Sequence, residues 1–193
     1  MQTAFGTRHH KVKAIICDMD NTLFDFMAAK QEACRGVVDY LGVGDPESLY
    51  FQFLNGTHGF ENHRNIRDYL ERLDIYQPET FEACCHIYED VKLDLVEPYP
   101  GVEETLRCLA DTGFRLAVAT DAESIQAERR LKKAGLIDFF EVVVTPEISG
   151  KRKPEPDSLI YALRQLEVTP ERAMMVGDSP RRDIAPGRIL GMV

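Results

Sequence analysis

The sequence predicts an α/β fold: a Rossmann-like parallel sheet, interrupted after its first strand by an all-helical insert. Three observations predict it. An apolar run, Ala14-Ile15-Ile16-Cys17, ends in the acidic loop Asp18-Met19-Asp20-Asn21-Thr22, and a run with no polar face reads as a strand buried on both sides. From Val102 onward, apolar runs alternate with segments of helical period, the rhythm of strands joined by crossover helices. Between these regions, from Phe26 to about Val96, the period is helical and no strand is evident.

The first strand is expected over Lys13 to Asp18. In the insert, helices are expected near Ala28 to Leu41, Asn65 to Leu73 and Glu79 to Leu95. They are separated by Gly42-Val43-Gly44-Asp45-Pro46 and by Asn55-Gly56-Thr57-His58-Gly59, clusters that break helices. Pro98, Pro100 and Gly101 mark the return to the sheet. A helix Val102 to Thr112, a strand Arg115 to Ala119, a helix Glu123 to Ala134, a strand Glu141 to Val144, a helix Asp157 to Leu166 and a strand Ala173 to Val176 follow. The domain division expected is therefore a discontinuous core, 1–24 with 97–193, and a helical insert, 25–96.

Composition narrows the function. A chain of 193 residues that is 44% hydrophobic can bury a sizeable core. Its 32 acids against 23 bases give a net charge of −9, which opposes non-specific attraction to nucleic acid or to an anionic membrane. The five cysteines show no Cys-x-x-Cys spacing, so neither a disulfide framework nor a tetrahedral zinc site is expected. Adjacent Cys84, Cys85 and His86 would point about 100° apart on a helix, unsuited to one ion. The stretch Met1 to Lys13 is basic but lacks the apolar segment of a signal peptide, and no apolar run approaches the ~18 residues of a membrane span. A cytoplasmic protein is expected, monomeric or weakly dimeric.

The chemistry-bearing residues fall where expected strands end, the edge at which open α/β sheets place their sites. Alternation lets Asp18, Asp20 and Thr22 share one side while Met19 faces away, and crowded carboxylates call for a shared proton or a cation. Thr120-Asp121 offers a hydroxyl and free N–H groups before a helix, suited to an anionic oxygen or to simple capping. Lys151-Arg152-Lys153-Pro154-Glu155-Pro156 is a cationic cluster stiffened by two prolines, or else a solvated charged loop. Met174-Met175-Val176-Gly177-Asp178-Ser179-Pro180-Arg181-Arg182-Asp183 closes the set. Gly177 permits close backbone approach, and Asp178 leaves the strand end as a further acid.

In this order, from Lys13 to the last residue, the set resembles the haloacid dehalogenase superfamily, in its phosphatase-type members with a helical cap of the phosphoglycolate phosphatase or nucleotidase kind. The resemblance implies Asp18 as nucleophile and Asp20 as general acid and base. It implies Thr120 and Lys153 at the transferring phosphoryl group, with Asp121 contributing a backbone N–H. Mg²⁺ would be held by Asp18, the backbone carbonyl of Asp20 and Asp178, with Asp183 supporting from behind. It further implies a small phosphorylated metabolite as substrate: phosphoglycolate, a triose or sugar phosphate, or a nucleoside monophosphate.

Within the cap, His58 and Arg64 are the substrate candidates, with His63 and Arg67 beside them; Arg64 and Arg67 lie near Glu61 and Glu71 and can equally form surface ion pairs. Alternative readings are a phosphomutase using the same aspartyl-phosphate and a catalytically silent module on the same fold. Carbon–halogen hydrolysis is disfavoured, because dehalogenases lack an acid two positions after the nucleophile. Relatives of this kind continue past the last helix into a further strand, so the strand Ala173 to Val176 is expected to present an unpaired edge.

Overall fold

The computed structural model describes residues 12–55 and 58–193; the basic stretch up to Lys11, and Gly56 and Thr57, lie outside them. The elements run β1 (Ala14–Cys17), α1 (Phe26–Leu41), α2 (Pro46–Asn55), α3 (Arg64–Arg72), α4 (Pro78–Asp94), α5 (Val102–Asp111), β2 (Arg115–Ala119), α6 (Ser124–Lys133), β3 (Val142–Val144), α7 (Pro146–Ser149), α8 (Asp157–Gln165), β4 (Ala173–Val176) and α9 (Ala185–Leu190). A π-helical turn, Pro180–Ile184, leads into α9. Two compact units result: the described residues up to Phe24 with Pro98–Val193, and Asp25–Glu97.

The first unit is an α/β layer structure around four parallel strands in the order β3-β2-β1-β4. Every residue of β1 is buried, as its position between β2 and β4 requires. The register pairs Cys17 with Val118 of β2 and with Val176 of β4, so Asp18, Thr120 and Asp178 all emerge at the same carboxyl edge. Residues alternate between faces. Ala14 and Ile16, Ala117 and Ala119, Ala173 and Met175 share one core with Leu159, Ala162, Leu163 and Leu166 at α8. The four strand alanines keep that face shallow and let the helix pack close to the sheet.

β4 stands at the edge of the sheet, yet the expectation of a bare edge is overturned. The Met175 N–H donates to the Val193 carbonyl at 3.1 Å, and the Val193 N–H donates to the Ala173 carbonyl at 2.9 Å. The extended residues after α9 therefore return along β4 and cover part of it.

The second unit is wholly helical among its described residues. α1 and α4 form its main pair, and Gly36 lets them pack closely, since a Cβ there would lie 3.3 Å from Val91 Cγ2. Ala33, Cys34, Val37, Leu49, Phe53, Ile66, Leu70 and Tyr88 make its core. Helix α2 lies in a stretch where no separate helix is expected from the sequence pattern. Pro46 opens it, and Asp45 Oδ2 accepts from the Ser48 N–H at 2.8 Å, a cap signal that the adjacent glycine cluster masks. Cys17, Cys34 and Cys84 are buried free thiols, and all five cysteines are unbridged.

Candidate functional site

The loop after β1 is a tight turn. The Thr22 and Leu23 N–H groups both reach the Met19 carbonyl, and the Asn21 N–H donates to the Phe24 carbonyl at 2.9 Å. Asn21 takes a left-handed φ of 62°, which asparagine tolerates better than most residues. Met19 is fully buried, so the acids of the loop are turned the other way. Thr22 Oγ1 donates to Asp18 Oδ2 at 3.3 Å.

The last strand contributes through Gly177. A Cβ there would lie 2.5 Å from Asp183 Cβ and 2.6 Å from its carboxylate oxygen, so glycine is what allows the Asp183 side chain to lie against the strand end. Asp183 is fully buried. Its Oδ2 accepts from the Ser179 N–H at 2.9 Å, and its Oδ1 accepts from Lys153 Nζ at 2.6 Å. The resemblance gave Asp183 a supporting place; in the structure, oxygens of Asp18, Asp178 and Asp183 all lie within 4.8 Å of one another.

Lys153 occupies the middle of this group. Its Nζ donates to both Asp18 Oδ1 and Asp183 Oδ1, with all three side chains buried. Burial works to lower the lysine, but the charges of Asp18 and Asp183 outweigh it and hold the ammonium above the ordinary lysine value. The Asp18 carboxyl is held above the ordinary aspartate range, mainly by burial; Lys153 opposes this and Asp183 adds to it. Two carboxylates hold one ammonium, and Asp178 brings a third within 4.8 Å of theirs, so acids outnumber bases in the cluster.

Asp121 has more than a backbone to offer. Its Oδ1 accepts from the Lys153 backbone N–H at 2.8 Å, its carbonyl accepts from the Arg152 guanidinium, and Arg182 Nη1 lies 3.7 Å from its Oδ2. The end of β2 thus fastens the lysine loop in place. Thr120 is buried. Its Oγ1 accepts from the Ala122 N–H at 3.1 Å, a local turn that leaves the hydroxyl proton available to an acceptor.

The Asp20 side chain has a partner of its own. Its Oδ2 accepts from Arg130 Nη1 at 2.9 Å, and Arg130 is only 1% exposed. Sequence reasoning missed Arg130, which sits in the charge-rich run Glu128-Arg129-Arg130. The available signal was its spacing, three residues after Ala127 and one before Leu131, on the face of α6 that turns inward.

The residues named in the helical unit are not drawn together. His58 Nε2 lies 2.8 Å from Asp68 Oδ2, Arg64 is exposed, and Arg67 pairs with Glu71 at 2.9 Å on the surface. His63 Nε2 meets Glu89 at 2.8 Å, and Glu89 also pairs with the buried Lys92 at 2.7 Å.

Comparisons with known proteins give the family. The family model for haloacid dehalogenase-like hydrolases matches residues 15–193. The chain is 32% identical over 191 residues to a glyceraldehyde 3-phosphate phosphatase of Methanopyrus kandleri, covering 94% of this chain and 82% of that one. It is 29% identical to a phosphoglycolate phosphatase of Neisseria meningitidis, with 93% and 77% covered. A solved structure from Thermotoga maritima, described as a beta-phosphoglucomutase, superposes with a TM-score of 0.80 at 26% identity, covering 94% of this chain and 82% of that one. No helix among the described residues is long and apolar enough to cross a membrane. With the matched region running from β1 to the last residue and phosphatases among its relatives, the chain belongs to the haloacid dehalogenase-like hydrolases, as a phosphatase-type member.

Proposed function

We propose that the protein is a Mg²⁺-dependent phosphatase that hydrolyses a small phosphorylated metabolite through an aspartyl-phosphate on Asp18. The observation that carries this reading is the buried Asp18–Lys153–Asp183 group with Asp178 beside it. Hard carboxylate oxygens with excess negative charge fit a hard divalent cation. Asp18 and Asp178, with the backbone carbonyl of Asp20, would hold it, and Asp183 would steady both the ion and the lysine. When bound, the metal supplies positive charge to the phosphoryl oxygens.

The remaining work falls to the chain itself. An Asp18 oxygen attacks phosphorus and the bond to the ester oxygen breaks, while Asp20 delivers a proton to the departing alkoxide. Water then attacks the same phosphorus, the bond to Asp18 breaks, and Asp20 takes up the proton. Bringing an anionic nucleophile to a phosphate dianion at ~4 Å costs about 4 kcal/mol per charge pair at an effective dielectric of ~20. The Lys153 ammonium offsets that repulsion, and the Thr120 hydroxyl gives the phosphoryl oxygens a donor.

In this reading the α/β unit performs the chemistry, and the helical unit, as a cap, selects the substrate. The relatives are named for two- and three-carbon phosphates, which supports short phosphorylated acids and aldehydes as the first compounds to test. A second reading, phosphoryl transfer between two hydroxyls of one sugar, is favoured by the Thermotoga maritima likeness. Phosphate release from a panel of phosphomonoesters, with and without Mg²⁺, separates the two. Magnesium-dependent release that vanishes in Asp18→Asn is the expected result; isomerised sugar phosphate without release would establish the mutase.

A further inference from the structure

The geometry points to Arg130 as a positioning residue for Asp20, an inference that rests on the proposed role of Asp20 as the proton donor to the leaving group. Arg130 comes from α6, after the second strand, and reaches back 110 residues in sequence to bind Asp20 Oδ2 at 2.9 Å. Its neighbours in sequence behave differently. Lys132 pairs with Glu128 on the exposed surface of the same helix, and Arg129 is exposed. Only Arg130, with Ala127 and Leu131, lies on the buried face.

A guanidinium in that place is a poor choice for stability alone. Desolvating it is expensive, and a well-packed apolar residue of similar volume is often as stable as a buried ion pair or more so. The pair therefore calls for a reason beyond packing. That reason lies in the loop after β1. The backbone around Asp20 is fixed by the hydrogen bonds to Met19 and Phe24, which leaves the two side-chain torsions of Asp20 as its remaining freedom. The Arg130 Nη1 donor, carried on the buried face of α6, anchors Oδ2, so the carboxyl group keeps one direction relative to Asp18, two residues away. A proton donor must be aimed within a fraction of an ångström to serve an alkoxide as it departs.

Leaving-group dependence tests this directly. An alkyl phosphate releases a poor leaving group that needs a proton, whereas p-nitrophenyl phosphate releases a phenolate that leaves without one. The ratio of kcat/KM for the best alkyl substrate to that for p-nitrophenyl phosphate is measured with Mg²⁺ on the full chain. The proteins compared are the parent, Asp20→Asn, Arg130→Met, Arg130→Lys and the Asp20→Asn/Arg130→Met double variant. In Arg130→Met the ratio is expected to fall by about 100-fold. Arg130→Lys, which keeps the charge but not the fixed direction of a planar N–H donor, is expected to fall part of the way. In the Asp20→Asn background, adding Arg130→Met should change the ratio by no more than about twofold.

An equal loss on both substrates would overturn the inference, because a residue that only supports the fold has no means of telling leaving groups apart. Should Arg130→Met fail to fold, Arg130→Lys decides by the same ratio, and a parent-like value overturns the proposal. An unchanged ratio in Asp20→Asn would instead remove Asp20 from the proton-donor role, a failure of the underlying reading that is separately visible.

Discussion

Replacing Lys153 by methionine keeps the unbranched stem, one heavy atom shorter, and removes its charge, leaving Asp18 and Asp183 buried without the cation between them. The attraction lost is large in gross terms. At 2.6 Å from Asp183 Oδ1 it is about 6 kcal/mol at an effective dielectric of ~20, before the lysine's own desolvation is returned. What persists in the variant is repulsion between two carboxylates. At 4.8 Å, the outer bound on their separation, this is about 3.5 kcal/mol by the same arithmetic. That agrees with the ~3–5 kcal/mol typical of removing one partner from a buried ion pair. For a chain of this size the corresponding fall in Tm is roughly 10 °C.

Thermal unfolding followed by circular dichroism without divalent metal measures it. The Asp18→Asn/Lys153→Met double variant restores the charge count and should recover most of the lost stability. A Tm for Lys153→Met within about 2 °C of the parent, or a double variant no more stable than the single one, would refute the claim that the lysine holds the carboxylates together.

Gly177→Ala forces Asp183 aside by about 1 Å, a displacement that can cost ~100-fold in turnover, with about 1–3 kcal/mol of overpacking; parent-like phosphate release would show that Asp183 needs no exact place. In the helical unit, the Cys85 thiol and the Glu89 carboxylate hold His63 up at about 9, against burial. Burial raises Glu89, but His63 and Lys92 together bring it down to about 2. The His63 contribution is therefore complete below its ordinary value of 6.5 and is lost as pH rises through about 9. The Glu89 contribution is complete above 4.5 and is lost as pH falls through about 2. Accordingly, the Tm difference between the parent and His63→Gln should shrink as pH rises toward 10, and that for Glu89→Gln should shrink as pH falls toward 2; a pH-independent difference in either case contradicts the pairing.

The strands were legible because β1, β2 and β4 are short apolar runs bounded by glycine, acid or proline, and little else produces that pattern in a chain of this length. Asp18, Lys153 and Asp178, which the structure brings together, stood out as candidates because each sits at the end of such a run, or in the loop between two. What escaped depends on tertiary placement. Arg130 looks like one more cation in a charged helix until α6 is seen to turn that position inward. The direct contact of Asp183 with Lys153 depends on the π-helical turn, which residue spacing does not show; the bare Cα of Gly177 was read for a close approach, but not for which side chain makes it. Asp121 was expected to contribute a backbone N–H. The structure instead directs its side chain to the Lys153 backbone and toward Arg182.

The point where the chain leaves the α/β unit and the point where it returns are stitched together. Phe24 pairs with Pro98 in an isolated antiparallel bridge, and the Tyr99 N–H donates to the Leu23 carbonyl at 2.9 Å. This has a consequence for the order of folding. β1 and β2 must meet across roughly 100 residues, a slow search for an unstructured chain. A helical segment rich in local contacts forms sooner and brings its own ends together, which turns that distant encounter into a nearby one. The insert then acts as a splint during assembly. Because closure cost grows only by about 0.6 kcal/mol per doubling of length, the same stitch accommodates inserts of very different size with little penalty to the sheet.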